Sequence, residues 1–308
     1  TDFFRLEGYI SRKGKKEKIV AKVQPGQKKV FECNDVPYGK IAEHIGHLPV
    51  VMITPDDTQL ATEGSEERRR FLDNTLSQIN PQYLKNLMHY NKVLKQRNAA
   101  LKQMAAAKYF DDALVNSYDA QLLRPAPMLY EARRDFLERF APIFGQYYQK
   151  ISGGAEQVAF HYRSQLSKQS FEELLREARE KDRILQRTTV GLHKDDLTFS
   201  VNGHPLKRFG SQGQLKSFVL ALKLAQYELL RREKEIPPLL LLDDIFDKLD
   251  LQRIRFLLEL LFENDFGQIF LTDTQKDRVQ QIVDNLNVEY RIFEIEQGKA
   301  NPTNQLTN

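Results

Sequence analysis

Apolar positions in the first 55 residues come in short bursts. The stretches FFRLEGYI, KIVAKV, KKVFECN and LPVVMITP are rich in β-branched and aromatic residues and are broken by Gly and Pro, which predicts strands. From residue 61 to 189 the apolar spacing lengthens to three and four. GSEERRRFLDNTLSQIN begins a helix, and PQYLKNLMHYNKVLKQRNAALKQMAAAKYF continues as a long one with Pro81 in its first turn. APMLYEARRDFLERFAPIFGQYYQKI forms another. SFEELLREAREKDRILQRT follows, with Ser170 and Glu173 spaced as a capping box. Helices of this length must pack on each other or on a partner. They predict an antiparallel helical arm, interrupted by a β-like piece near EQVAFHYRS.

Beyond residue 190 strands and helices alternate. DDLTFSVNG reads as a strand and tight turn, and RFGSQGQLKSFVLALKLA as a loop and helix. PPLLLLDDIFDKLD reads as a buried strand ending in acids. RIRFLLELLFEN, GQIFLTDT, KDRVQQIVDNL and EYRIFEIEQG read as helix, strand, helix and strand. That order predicts a mostly parallel sheet. The fold class is therefore α/β: one head lobe from residues 1–60 and 190–308, with residues 61–189 inserted as a helical arm domain.

Composition narrows the function classes. Apolar residues make up 41% and charged residues 29% of the 308, which fits a globular chain and excludes a disordered one. The net charge of +4 permits a nucleic-acid partner without demanding one. Cys33 is the sole cysteine, so neither an internal disulfide nor a thiolate zinc cluster can form, as expected in a reducing compartment. The charged opening TDFFRLEGYISRKGKKEK has no apolar core of a signal peptide, and the longest aliphatic run is only Leu239–Leu242. A cytoplasmic location with no membrane partner is expected.

Two stretches carry candidate chemistry. Leu239–Leu242 followed by Asp243 and Asp244 describes a strand buried on both faces, with two acids at its carboxyl end, where open α/β sheets place ligands. Adjacent side chains on a strand point to opposite faces, so one acid can hold Mg²⁺ and the other can orient a water. Two acids can also simply end a strand and cap the next helix. The second stretch is Gly210-Ser211-Gln212-Gly213, which turns into the run Leu215, Phe218, Val219, Leu222, Ala225, Leu229. A glycine-rich turn opening a helix presents free N–H groups and the positive dipole end to an anion, and Ser211 and Gln214 add side-chain hydrogen bonds. An ordinary capped helix is the plainer reading. The spacing is wrong for a lysine phosphate loop, because Gly213 lies three residues before Lys216.

Taken in order, these parts resemble the second half of an ABC-type ATPase head of the SMC-like kind. Ser211-Gln212-Gly213-Gln214 matches the signature loop, Leu239–Asp244 the Walker B strand, and Leu249-Asp250 the D-loop. Five blocks together, GSEERRRFLDNTL, NKVLKQRNAALK, GLHKDDLTFSVNG, RFGSQGQLKSFVLALKLA and LLLLDDIFDKLD, resemble the RecF family of bacterial recombination mediators across most of the chain.

The resemblance implies a head with a short helical arm that binds ATP and Mg²⁺ and dimerises on the nucleotide. It implies binding to double-stranded DNA and single-strand/double-strand junctions, and work with RecO and RecR to load RecA in DNA replication, recombination, repair and the SOS response to DNA damage. Carried over by position, Asp243 serves Mg²⁺ and Asp244 is catalytic, positioning the hydrolytic water. Ser211, Gly213 and Gln214 contact the γ-phosphate of a nucleotide held by the other protomer, and Asp250 lines the dimer interface. Hydrolysis is expected to be weak and to reset the clamp.

Two departures stand out. The motif G-x-x-x-x-G-K-[ST] occurs nowhere in the 308 residues, so the resemblance implies a chain lacking its first few dozen residues, inactive alone. The strand IFLTDT ends in Thr272 and Asp273, where many such ATPases place a histidine, which leaves the γ-phosphate sensor unassigned.

The arm suggests a DNA surface by itself. No acid occurs from Asn74 to Phe110, while Lys85, Lys92, Lys95, Arg97, Lys102 and Lys108 are basic. Lys85, Lys92, Lys95 and Lys102 fall within an arc of roughly 100° on one helix, a plausible phosphate-tracking face. A solvated lysine face is the alternative. The cluster Arg12, Lys13, Lys15, Lys16 and Lys18 reads as a solvated hairpin tip, and His193-Lys194-Asp195-Asp196 as a structural or interface cluster before a strand. Two rivals carry different functions: an SMC-like structural scaffold without functional hydrolysis, and a metal-dependent phosphohydrolase or nuclease using Asp243 and Asp244.

Overall fold

The opening strands pair as hairpins, as their alternation predicts. In the computed structural model β1 (Phe4–Arg12), β2 (Lys15–Val23), β3 (Val30–Cys33) and β4 (Val36–Pro37) form one antiparallel sheet in that order. The structure describes residues 3–12, 14–154, 156–244, 251–263, 266–275, 280 and 289–302. At the hairpin tip Arg12 donates to the His47 carbonyl and pairs with Glu17, and Lys18 pairs with Asp35, so part of that basic cluster is already neutralised.

β5 (Val50–Ile53) leads into the short α1 (Gln59–Thr62) and then α2 (Ser65–Ile79). α3 (Pro81–Ala106) starts on Asn80, whose side chain accepts from the amides of Gln82 and Tyr83. α4 (Asp112–Leu123) returns along it, and α5 (Pro125–Ser152) runs back and stops at Gly153 in the left-handed conformation. The expected β-like piece is β6 (Val158–Arg163). The expected single helix at residues 170–188 is instead two, α6 (Phe171–Glu177) and α7 (Arg179–Leu185), and the Ser170–Glu173 capping box is present.

β7 (Asp196–Val201) pairs antiparallel with β6 and turns through Asn202-Gly203, both at positive φ, into β8 (His204–Pro205). α8 (Leu206–Phe209) and α9 (Gln212–Lys234) follow. β9 (Leu239–Asp243), α10 (Leu251–Glu263) and β10 (Ile269–Thr272) complete the head, and β9 lies between β5 and β10 in a parallel sheet. β11 (Phe293–Glu296) pairs with β12 (Lys299–Pro302) as a separate hairpin rather than joining that sheet. The helix expected at KDRVQQIVDNL lies outside the described residues.

The strand Leu239–Leu242 departs from expectation. Leu240 and Leu242 are fully buried against α9 and α10, but Leu239 and Leu241 are only half-buried. Across the sheet in register with Leu241 stand Met52 and Phe270, 45% and 49% exposed. One face of the sheet is thus covered and the other is open.

Aromatic packing joins α5 to α9 and β7. Phe218 of α9 meets Phe144 of α5 and Phe199 of β7 at ring-centroid distances of 4.8 Å each. The same apolar core runs from Leu60 through α2, α3, α5 and β7 to α9. A smaller cluster of Ala100, Leu101, Met104 and Val115 closes the α3–α4 end.

Arg97 is a correction to the basic-face count. Its side chain is fully buried, donating to Asp119 at 2.7 Å, Asp182 at 2.7 Å and Thr188 at 2.9 Å. Spacing alone could not separate it from the lysines, because a buried cation shows only in its tertiary partners. Removing one partner of a buried ion pair costs about 3–5 kcal/mol, because a charge is left uncompensated. Arg97→Met should therefore lower unfolding stability by about that amount in denaturant titration. Lys92→Met on the exposed face should change it by less than about 0.5 kcal/mol.

Candidate functional site

The loop before α9 is built by reciprocal capping. Ser211 Oγ accepts from the Gln214 amide at 3.1 Å, and Gln214 Oε1 accepts from the Ser211 amide at 2.8 Å. This satisfies the amides of the cap and of the third helical residue. The amides of Gln212 and Gly213, the first two helical residues, keep no intrahelical acceptor and lie at the positive end of a 23-residue helix. Gly210 is needed behind them, since a Cβ there would come within 2.6 Å of the Leu206 carbonyl.

Gln214 is more committed than its sequence position implies. Its Nε2 donates to Glu156 Oε1 at 2.8 Å, and the other oxygen of Glu156 accepts from Tyr148. Ser211, Gln214, Glu156 and Lys150 line a cleft of about 630 Å³ between α5, α9 and α10. Glu156 is a site residue that sequence reading missed. No motif marks it; the packing of α5 against α9 brings the turn after α5, and Glu156 with it, to the loop.

Asp243 and Asp244 occupy different surroundings, as two successive residues at a strand end should. Asp243 Oδ1 accepts from Thr272 Oγ1 at 2.6 Å, across the β9–β10 pair. Asp244 leaves the strand with φ of 49°, its amide bonded to the Thr272 carbonyl at 3.1 Å. A non-glycine residue at positive φ is strained unless its surroundings hold it. Asp244 Oδ1 is buried, with no hydrogen-bond partner among the described residues. Neither acid lines the cleft that holds Ser211. Asp250 and Leu249 lie outside the described residues.

These oxygens suit a hard cation. Mg²⁺ is commonly held by one or two carboxylates, with phosphate oxygens and waters filling the other positions. Asp243, the Thr272 hydroxyl and the unpartnered Asp244 oxygen provide that donor type. Among the described residues no cluster of three His, Cys, Asp or Glu forms a self-contained metal cage. The fit is therefore to a metal that arrives with a phosphate.

Lys85, Lys92, Lys95 and Lys102 are all exposed on α3. Their span is about 25 Å at 1.5 Å rise per residue, close to seven base pairs of duplex. His193 to Asp196 is structural. Asp196 accepts from Nε and Nη2 of Arg68 at 2.8 and 3.2 Å, and Asp195 is buried against Arg133 at 2.9 Å. His193 Nε2 donates to the Thr188 carbonyl at 3.0 Å, which leaves Nδ1 to accept from Tyr90 at 3.1 Å.

No family model matches the chain. The DNA replication and repair protein RecF of Flavobacterium johnsoniae is 43% identical over 294 residues, covering 96% of this chain and 82% of that protein. A solved structure of the recombination mediator protein RecF-ATPγS in the RecFOR pathway superposes with a TM-score of 0.86 at 25% identity, over 99% of this chain and 81% of its own. An Smc head bound to the C-winged helix domain of ScpA shares the fold alone, with a TM-score of 0.53 at 11% identity over 99% of this chain and 75% of its own. Among the described residues no helix is long and apolar enough to cross a membrane.

Burial lowers the His193 pKa to about 4, with Lys194 and Arg69 adding to the effect against the Thr188 hydrogen bond. The unfolded chain therefore binds this proton first as pH falls. The contribution is whole above about pH 6.5 and is lost progressively toward pH 4, about 3 kcal/mol in all. Denaturant titrations at pH 7 and pH 4.5 should show His193→Gln losing less stability over that interval than the wild type.

Proposed function

The chain belongs to the RecF family of DNA replication and repair proteins, and we propose that it works as an ATP-dependent DNA clamp whose nucleotide site is shared between two copies. The observation that carries this reading is the separation of two half-sites. Ser211 with the free amides of Gln212 and Gly213 forms a phosphate-accepting helix end, while Asp243 and Asp244 end β9 in different surroundings. A phosphate held beside the acids of one copy meets the Ser211 end of the other.

Within that site the residues divide the work. The Ser211 hydroxyl and the two amides bind the γ-phosphate oxygens and neutralise their charge. Gly213 lets the backbone approach closely, and Gln214 holds the loop in shape through its capping bonds. Asp243, oriented by Thr272, would hold Mg²⁺, which when bound would offset phosphate charge. Asp244 keeps a free oxygen to accept a hydrogen bond from the attacking water and fix its direction. Asp250 is assigned to the interface with the opposing copy by its place in the family pattern alone. Turnover is slow and resets the clamp.

The residues 61–189 form the arm, and Lys85, Lys92, Lys95 and Lys102 follow the phosphates of DNA at single-strand/double-strand junctions. RecO and RecR are the partners with which it loads RecA, consistent with the RecFOR pathway named for the solved relative.

Two experiments on a full-length version test these parts. Ser211→Arg fills the phosphate end with a bulky cation; ATP binding should persist while ATP-dependent dimerisation fails in light scattering. Dimers that survive would remove the shared site. Lys92→Glu, Lys95→Glu and Lys102→Glu together should weaken DNA binding and flatten its salt dependence by about 0.9 per lost phosphate contact. Unchanged affinity would take the arm out of the reading.

A further inference from the structure

The region where α7 and the turn at Leu192–Lys194 meet α2 and α3 carries cations that the preceding reading leaves unused. Arg68, Arg70, Arg179 and Arg183 of α2 and α7 are each paired with a carboxylate. Their neighbours Arg69, Lys181, Arg187 and Lys194 differ: among the described residues none has a carboxylate within ion-pair distance. Lys181, Arg187 and Lys194 are exposed, and Arg69 is half-buried.

Hydrogen bonds place Arg69, Arg187 and Lys194 together, and Lys181 is near enough to Lys194 to help lower its pKa. Arg69 Nη1 donates to the carbonyl of Asp195, the residue after Lys194, at 2.6 Å. His193, the residue before Lys194, bonds the carbonyl of Thr188, the residue after Arg187. The amide and hydroxyl of Thr188 both donate to Asn98 Oδ1 on α3, at 2.7 and 2.8 Å. Lys95 and Lys102 stand three residues before and four after Asn98, on its own side of the helix. One row of linked residues thus runs from the lysine face of α3 to the foot of the arm.

The acids beside the row are already engaged: Asp195 and Asp196, which face Arg69, are held by Arg133 and Arg68, and Glu66 is held by Arg70. Asp182 is buried and already bonded to Arg97 and to Thr189. The Lys194 pKa is lowered, by burial first and then by Arg187 and Arg69, which together outweigh the opposing effect of Asp182.

We propose that Arg69, Lys181, Arg187 and Lys194 form a phosphate-binding patch at the foot of the arm, which continues the α3 lysines into a single track for the backbone of duplex DNA. The patch fits a sugar–phosphate backbone because its cations are strung along an extended row, rather than gathered around one pocket. It rests on the reading of α3 as a DNA surface and extends that surface to the head.

The test uses the full-length protein with Lys181→Gln, Arg187→Gln and Lys194→Gln combined. Arg69 is kept because it holds the Asp195 carbonyl. Affinity for a duplex of about 30 base pairs is measured across salt concentrations. The expected result is a loss of about tenfold, with the slope of log affinity against log salt smaller by about two to three. A charge-keeping set, Lys181→Arg, Arg187→Lys and Lys194→Arg, should bind as the wild type does.

Unchanged affinity and slope in the glutamine variant overturn the patch. If the α3 lysine variant still loses affinity, the α3 reading survives that failure. A wild type that does not bind duplex overturns both. Unchanged DNA binding would turn attention to an acidic protein segment seated against exposed Ile184 and Leu185 beside the patch.

Discussion

A single buried guanidinium, that of Arg133, fixes how the helices meet the sheets. It reaches Asp73 of α2 at 2.8 Å, Tyr83 of α3 at 3.1 Å, the Leu192 carbonyl at 3.2 Å and Asp195 at 2.9 Å. Tyr162 of β6 donates to the same Asp195. A buried cation is tolerated only where its donors are satisfied in good geometry. Five segments distant in sequence must therefore take one arrangement around it. Arg133 lies on α5, and the far end of α5 lines the cleft beside Ser211, so the placement of that end depends on the same hub.

The apolar packing follows the polar hub. Phe144 and Tyr148, three and four turns along α5 from Arg133, meet Phe218 on α9. α9 is capped by Ser211 and carries Leu220, Leu224 and Leu230 into the core beneath β9. The two candidate half-sites are separate places on one packed unit: neither Asp243 nor Asp244 lines the cleft at Ser211. Packing of α9 beneath β9 keeps their spacing fixed, as a site shared between two copies requires.

Much of the candidate site is readable from local pattern. A serine three residues before a glutamate or glutamine at a helix start dictates reciprocal capping, and the structure has it at both Ser170–Glu173 and Ser211–Gln214. An apolar run ending in two acids dictates a strand with carboxylates at its end. Neither pattern shows that Gln214 is held by Glu156, that Thr272 orients Asp243, or that Asp244 takes a left-handed backbone. Those relations join residues tens of positions apart and leave no local trace. The split of residues 170–188 into two helices, at Ala178, has no Gly or Pro to mark it.

What the sequence determined by itself is the alternation of elements, the acid-free run on α3 and the order of loop, strand and acids, because each depends on periodicity or on neighbouring residues. Tertiary structure decided which charges are free to act. Arg97 reads with the arm's lysines as one more basic residue and is interior, as Arg133 is, because the acids that neutralise them come from other elements. Arg187 falls in the helix predicted at residues 170–188 and Lys194 in the polar cluster before β7, yet among the described residues neither has a carboxylate within ion-pair distance. Charge is a property of the residue, but its availability depends on what the fold brings beside it.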